Sequence, residues 1–277
     1  VANSLNNLAL LRDRMGDIDE ATQLHTESLE IRERLGTKTG IFASLSNLAM
    51  LAYRREDYSG AKKLHMRCGP IVRELNNKRL LALHLSNLAM VEGELGETDE
   101  AQAHLRESFE IRHEIGDKKG MAIALNNMGL VAEKLNNYEI AERMLRESLR
   151  IREEIVDRWG LAFCHPQLGR VLAQRGDGAA AEGEYGRAFC EFSSMALHAD
   201  ALKSLAEIAQ LRIEQPDAGD SVALVHYIAA HPNCPNELRE RLESQLASLN
   251  LNHSENAQFN SSATASEICA RFGISVE

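Results

Sequence analysis

The sequence predicts an all-α repeat array, and three observations carry that expectation. The 277-residue chain divides without a gap into 40-residue blocks at 1–40, 41–80, 81–120, 121–160 and 161–200, and blocks 1–40 and 81–120 agree at 17 of 40 positions. Two columns keep their chemistry throughout: Ala21, Ala61, Ala101, Ala141 and Ala181 in one, Leu8, Leu48, Leu88, Met128 and Leu168 in the other. Aromatic residues make up only 5% and prolines number five. Both facts favour helices, because strands select aromatic and β-branched side chains.

Each block reads as two helices. In the fourth, Leu125, Met128, Val131, Ala132 and Leu135 follow helical spacing along one face. Asn136-Asn137 then breaks the pattern, as Gly16-Asp17, Gly96-Glu97 and Gly176-Asp177 do elsewhere, and the glycine column fits a helix C-cap. A second apolar stripe follows at Ile140, Ala141, Met144, Leu145, Leu149 and Ile155, with Glu139/Arg143 and Glu142/Arg146 as i,i+4 pairs on its outer face. Gly36-Thr37-Lys38-Thr39-Gly40 and Gly116-Asp117-Lys118-Lys119-Gly120 read as connectors closing the repeats. They lack the spacing and the preceding strand of a phosphate-binding loop.

At this point the residues resemble a known family. Asn-Leu-Ala/Gly early in the first helix and a Gly-Asp type of turn resemble the tetratricopeptide signature. So do the Ala a few residues later and a small residue in the second helix (Ser28, Ser108, Ser148, Ala188). The unit is longer than the usual 34 residues or so, which is read as a longer second helix. It is similar to repeats in kinesin light chains and in the sensor halves of bacterial signalling ATPases and transcription regulators. The resemblance implies a right-handed superhelical solenoid of antiparallel helix pairs, acting as a binding scaffold and not as an enzyme.

The array is expected to span 1–215: five repeats plus a sixth first helix at Leu205, Ile208 and Leu211. Prolines intrude at Cys68-Gly69-Pro70, where a helix kink is expected, and at His165-Pro166. Capping helices are expected over 216–250, with Ser221 capping 222–230, a turn at Pro232 and Pro235, and Asn236 capping a helix striped by Leu238, Leu242, Leu246 and Leu249. The Ser-, Asn- and Ala-rich stretch that opens 251–277 reads as a flexible tail. Ile268, Phe272 and Ile274 are its candidates for docking, in the same molecule or in a second copy.

Composition narrows the function classes. With 44% hydrophobic and 26% charged residues the chain is globular. Its 31 basic and 41 acidic residues give a net charge of −10 with no dense basic run, which argues against nucleic acid as a partner. No apolar run approaches the roughly 20 residues of a membrane span, and no signal-peptide pattern opens the chain. Five scattered cysteines without a Cys-x-x-Cys pair read as free thiols in a reducing cytoplasm. Val1 falls inside a repeat, as in a C-terminal piece of a longer protein.

No catalytic constellation, cofactor or metal is expected. His25 and His65 share a column, but two histidines one repeat apart supply too few ligands for a metal and read as packing. Trp159 is expected to plug a repeat junction. The informative column is Asn7, Asn47, Asn87 and Asn127, with Gln167 in the fifth block. It belongs to a stripe at repeat positions 3, 7, 10 and 14, distinct from the core stripe: Asn3/Asn7/Leu10/Arg14, Ala43/Asn47/Met50/Arg54, Leu83/Asn87/Met90/Glu94 and Ile123/Asn127/Leu130/Lys134.

A primary amide both donates and accepts, so a ladder of amides suits a peptide backbone. It equally suits a bridge between neighbouring first helices. The family resemblance implies the former, since this inner asparagine often clamps a bound peptide. The expected site is therefore a concave groove with the four asparagines at its centre, Leu10, Met50, Met90 and Leu130 beside them, and Arg14, Arg54 and Lys134 at a basic rim that favours an acidic protein or peptide segment. The alternatives are a small-molecule sensor, for example of sugars, and a self-association module working through the tail.

Overall fold

A computed structural model describes residues 1–213, 219–248 and 264–274, and every regular element among them is an α-helix. The chain divides into two compact units, 1–135 and 136–277. The first unit holds α1 (Ala2–Arg14), α2 (Ile18–Arg34), α3 (Lys38–Arg54), α4 (Tyr58–Glu74), α5 (Lys78–Leu95), α6 (Thr98–Glu114) and α7 (Lys118–Lys134). Each helix packs on the next in chain order, and the first helices α5 and α7 also touch. The second unit holds α8 (Tyr138–Glu154), α9 (Arg158–Gln174), α10 (Gly178–Ser194), α11 (His198–Ile213), α12 (Gly219–Ala230), α13 (Asn236–Ser248) and α14 (Ala265–Phe272). There α8 to α13 pack in succession, and α14 returns to pack on α10.

The turns repeat every 20 residues, half the period of the core. Left-handed backbone (φ between +48° and +84°) occurs at Gly16, Gly36, Glu56, Asn76, Gly96, Gly116, Asn136, Val156, Gly176 and Ala196. The next residue caps the following helix: the side chains of Asp17, Asp57, Asn77, Asp117, Asn137 and Asp177 each accept the backbone N–H three residues on. The same residue's own N–H closes the preceding helix, as in Asp117 N–H to Arg112 O at 2.8 Å and Asp157 N–H to Arg152 O at 2.8 Å. One dipeptide thus ends one helix and starts the next. The second helices α2, α4, α6, α8 and α10 have 17 residues, no more than the first helices α3, α7 and α9. The expected connectors are shorter: Lys38, Thr39 and Gly40 already belong to α3, and Lys118, Lys119 and Gly120 to α7.

Small residues set the closeness of the pairs. Ala21, Ala61, Ala101, Ala141 and Ala181 are fully buried, and so are Ala9, Ala49 and Ala89 of the facing first helices. Around them lie larger clusters, such as Leu29, Phe42, Leu45, Leu48, Cys68 and Val72 in the first unit. Neither intruding proline ends its helix: α4 runs through Pro70 and α9 through Pro166.

The C-terminal helices differ modestly from expectation. Helix α12 begins at Gly219, ahead of the expected cap Ser221, and Asn236 is itself helical. Leu238, Leu242 and Leu246 are buried as the stripe requires. Arg239 ties the intervening turn by donating to Ala229 O at 3.0 Å and His231 O at 3.2 Å. The break at Gln215-Pro216-Asp217, Leu249 and the stretch 249–263 lie outside the described residues.

Near the end of 251–277, residues 265–272 form a helix. Thr264 and Glu267 form a reciprocal capping box at the start of α14, and Gly273 ends it in left-handed backbone. Ile268, Cys269, Phe272 and Ile274 are buried. Arg212 of α11 donates to the carbonyls of Phe272 and Gly273 while pairing with Glu182. Within one chain, this helix uses the apolar residues on which tail-mediated self-association was expected to rest.

Candidate functional site

The first helices of the first unit bring the asparagine stripe together. Asn7 is exposed, and Asn47, Asn87 and Asn127 are half-buried. Asn47 donates to Asn6 Oδ1 at 3.1 Å, so this amide bridges α3 and α1. The side chains of Asn7, Asn87 and Asn127 have no hydrogen-bond partner among the described residues. Leu10 and Met50 are exposed at 42% and 48%, while Met90 and Leu130 are half-buried.

A cavity of about 160 Å³ opens on this face between α3 and α5. Met50, Tyr53, Asn87, Met90 and Val91 line it, together with His65 from α4. Several of its walls lie outside the first-helix stripe, Tyr53 and His65 among them. Tyr53 sits one position before the rim arginine, and His65 enters from a second helix, so a search confined to the first-helix face misses it. Tyr53 donates to Glu94 Oε1 at 2.9 Å. Burial first, and then that carboxylate, raise the phenol's pKa and keep it neutral.

The rim is less basic than its residue types suggest. Arg54 pairs with Asp13 across α3 and α1, and Lys134 pairs with Glu94 across α7 and α5. Arg14 alone of the three expected cations has no ion-pair partner among the described residues. The expected preference for an acidic segment therefore loses two of its three supports. These pairs, with the Tyr53–Glu94 bond, instead join each first helix of the unit to the next.

Behind the cavity lies a buried polar cell at the α4–α5 contact. His65, Cys68 and His84 are each 4% exposed or less, and the Nδ1 atoms of both imidazoles lack a hydrogen-bond partner. Burial pushes both imidazoles down to about 4 and the thiol up to about 11, so all three are neutral.

In the second unit, Trp159 does not plug a junction. It is 56% exposed and stacks on Phe163, with ring centroids 5.9 Å apart and planes at 12°. Gln167 of the same stripe is half-buried.

Stacked antiparallel helix pairs, joined at the crossings by alanine and presenting side chains from every first helix, define a helical-repeat scaffold. The tetratricopeptide repeat family matches residues 1–73 and 80–154, and again 164–187. The chain belongs to that family. No curated protein matches the sequence. Among solved structures it is similar to BtubC (BKLC) from P. vanneervenii, with 19% identity over 88% of this chain and 97% of that one, at a TM-score of 0.66. A Rap protein complexed with Competence and Sporulation Factor gives a TM-score of 0.68 at 14% identity, covering 88% of this chain and 73% of that one. A signal-transduction ATPase from Pyrococcus horikoshii, with a tetratricopeptide repeat sensor, gives 0.63 at 17% identity. The match covers 90% of this chain and only 35% of that protein. At these identities the likeness is one of fold, an all-α helical-repeat solenoid. Such folds are generally non-catalytic scaffolds for protein interaction. No helix among the described residues is long and apolar enough to cross a membrane.

Proposed function

We propose that the first-helix face of residues 1–135 binds an extended protein or peptide segment, as the interaction part of a larger cytoplasmic regulatory protein. One observation carries the reading. Asn87 and Asn127 are half-buried amides whose side chains have no hydrogen-bond partner among the described residues. Beside Asn87 is an apolar cavity walled by Met50 and Met90. A half-buried amide that no neighbour satisfies is suited to a ligand's N–H and C=O. The unbranched thioethers beside it adapt to varied side chains. Asn47, already bonded to Asn6, serves partly as a brace between helices. The Rap protein solved with Competence and Sporulation Factor, and the sensor repeats of the signalling ATPase, support this reading by analogy of fold. Peptides selected on the immobilised chain from a displayed random library test it. Their addition should shift the side-chain amide resonances of Asn87 and Asn127 and the methyl resonances of Met50 and Met90. Shifts confined to the second unit would sink the assignment.

A second reading, small-molecule binding, draws support from the exposed Trp159–Phe163 stack, the kind of aromatic platform a sugar ring uses. Trp159 is the sole tryptophan. Its fluorescence should respond to a panel of mono- and disaccharides if this reading holds, and an unchanged spectrum across the panel dismisses it.

A further inference from the structure

We propose that His65, Cys68 and His84 form a zinc site at the contact of α4 and α5. Their ligating atoms all lie within 4.8 Å of one another, and all three residues are buried. His65 and Cys68 stand at i,i+3 on α4, so they share a helix face, and His84 meets them from α5. A four-coordinate zinc with bonds of about 2.0–2.3 Å keeps its ligands roughly 3.5 Å apart. Closing from the present spacing therefore takes about an ångström of side-chain rotation.

The repeat itself shows how unusual this cell is. The positions of His65, Cys68 and His84 are held by His25, Ser28 and Ser44 one repeat earlier, and by Leu105, Ser108 and Ala124 one repeat later. Leu145, Ser148 and Cys164 hold them in the next, and Tyr185, Ala188 and Ser204 in the last. Among these repeat positions, the α4–α5 contact alone collects three metal-ligating side chains.

At the α2–α3 contact the corresponding cell holds a cation. Arg32 donates to Ser44 Oγ at 2.7 Å, and Ser44 Oγ lies 3.5 Å from Ser28 Oγ. At the α4–α5 contact Val72 replaces that arginine. A zinc ion with one thiolate and two neutral imidazoles carries a net charge of +1, the charge of the guanidinium it would stand in for. The unpartnered Nδ1 atoms of His65 and His84 point the same way, since a buried imidazole nitrogen left without a partner costs free energy that a metal bond would recover. His65 also lines the cavity between α3 and α5, which gives a fourth ligand, water, a path to the metal.

Binding replaces the thiol S–H bond with a Zn–S bond and releases that proton to solvent, with no change of oxidation state. The test is titration of the metal-free chain with Zn²⁺ alone and with Co²⁺ alone. Expected are one equivalent bound, one proton released, a higher melting temperature, and for cobalt a thiolate charge-transfer band with the visible bands of a four-coordinate ion. Cys68→Ser installs the residue that three other repeats use and so should fold; it should abolish the charge-transfer band. His84→Ser should weaken binding at least tenfold, and Cys164→Ser should leave both signals intact. Absence of stoichiometric binding by the folded chain would overturn the site. So would a charge-transfer band that survives Cys68→Ser, or binding that tracks Cys164. The experiment requires no peptide, so it stands or falls apart from the groove.

Discussion

Three arginines at one repeat position, Arg32, Arg112 and Arg152, are buried among polar neighbours, and each dictates the residue eight positions on. Arg152 donates to Ser148 Oγ at 3.1 Å and to Asp157 at 3.2 Å, which leaves no space for a side chain at Gly160: a Cβ there would lie 1.7 Å from Arg152 Nη1. Arg112 and Gly120 repeat the relation at 2.1 Å. Where the arginine is lost, as at Val72, the glycine is lost too, to Leu80. Gly160→Leu should therefore destabilise the chain by about 1–3 kcal/mol. Adding Arg152→Val should recover most of that loss in denaturant unfolding; an additive double variant would mean that the two positions do not share a cell. This arginine–glycine pairing was readable in the alignment, but the glycines look like turn residues until the helix starts are known. His25 is a different case, a buried imidazole whose Nδ1 has no partner and whose pKa is lowered, chiefly by burial. The unfolded chain takes up the proton first, so stability is full above the ordinary histidine value near 6.5 and falls as pH drops below it. His25→Leu, the residue used by two other repeats, should raise stability by about 1 kcal/mol at pH 7. It should also flatten the acid limb of a melting-temperature-versus-pH profile, and an unchanged limb would reject the assignment. The proposed metal-ligating trio is not legible in the histidine column, because its ligands converge from one helix face and the helix opposite.

Helices of equal length follow from turns that recur every 20 residues, and this half-period was masked by the 40-residue pattern of the core. Five of the ten left-handed positions are not glycine, so the glycine column alone shows only half of them. Val156 is the most costly occupant: a β-branched side chain at φ 55°, largely exposed. Left-handed backbone costs a non-glycine residue roughly 1–2 kcal/mol, partly offset by the chain entropy that glycine loses on folding. Val156→Gly should then stabilise by about 0.5–1 kcal/mol, read as a higher melting temperature. A lower one would mean that Val156 makes contacts beyond the turn. The apolar stripes and the alanine crossings were legible because burial imposes a helical period on them.

For the whole chain, the repeat number and helix order could be read from the sequence, and the seating of the last helix could not. Ile268, Cys269 and Phe272 stand at helical spacing, but eight residues do not say what they pack on, and it is the surfaces of α10, α11 and α12 that give Phe272 a place to bury. Phe272→Ala should release α14, so that amides 265–272 exchange at the rate of an unstructured peptide while those of α9 keep their protection. Equal protection of 265–272 in the parent chain and the variant would show that Phe272 is not what holds the segment. The four asparagines were found as a column. Their division into a brace at Asn47 and, at Asn87 and Asn127, amides without a partner among the described residues depends on the neighbouring helices, as does the neutralisation of Arg54 and Lys134. The binding account is tested most directly by comparing Asn87→Ala with the parent chain, measuring affinity for library-selected peptides and melting temperature side by side. The account predicts affinity weakened by about fivefold or more, equivalent to about 1 kcal/mol, with the melting temperature nearly unchanged. Full affinity together with a sharply lowered melting temperature would contradict it and make the ladder a packing device.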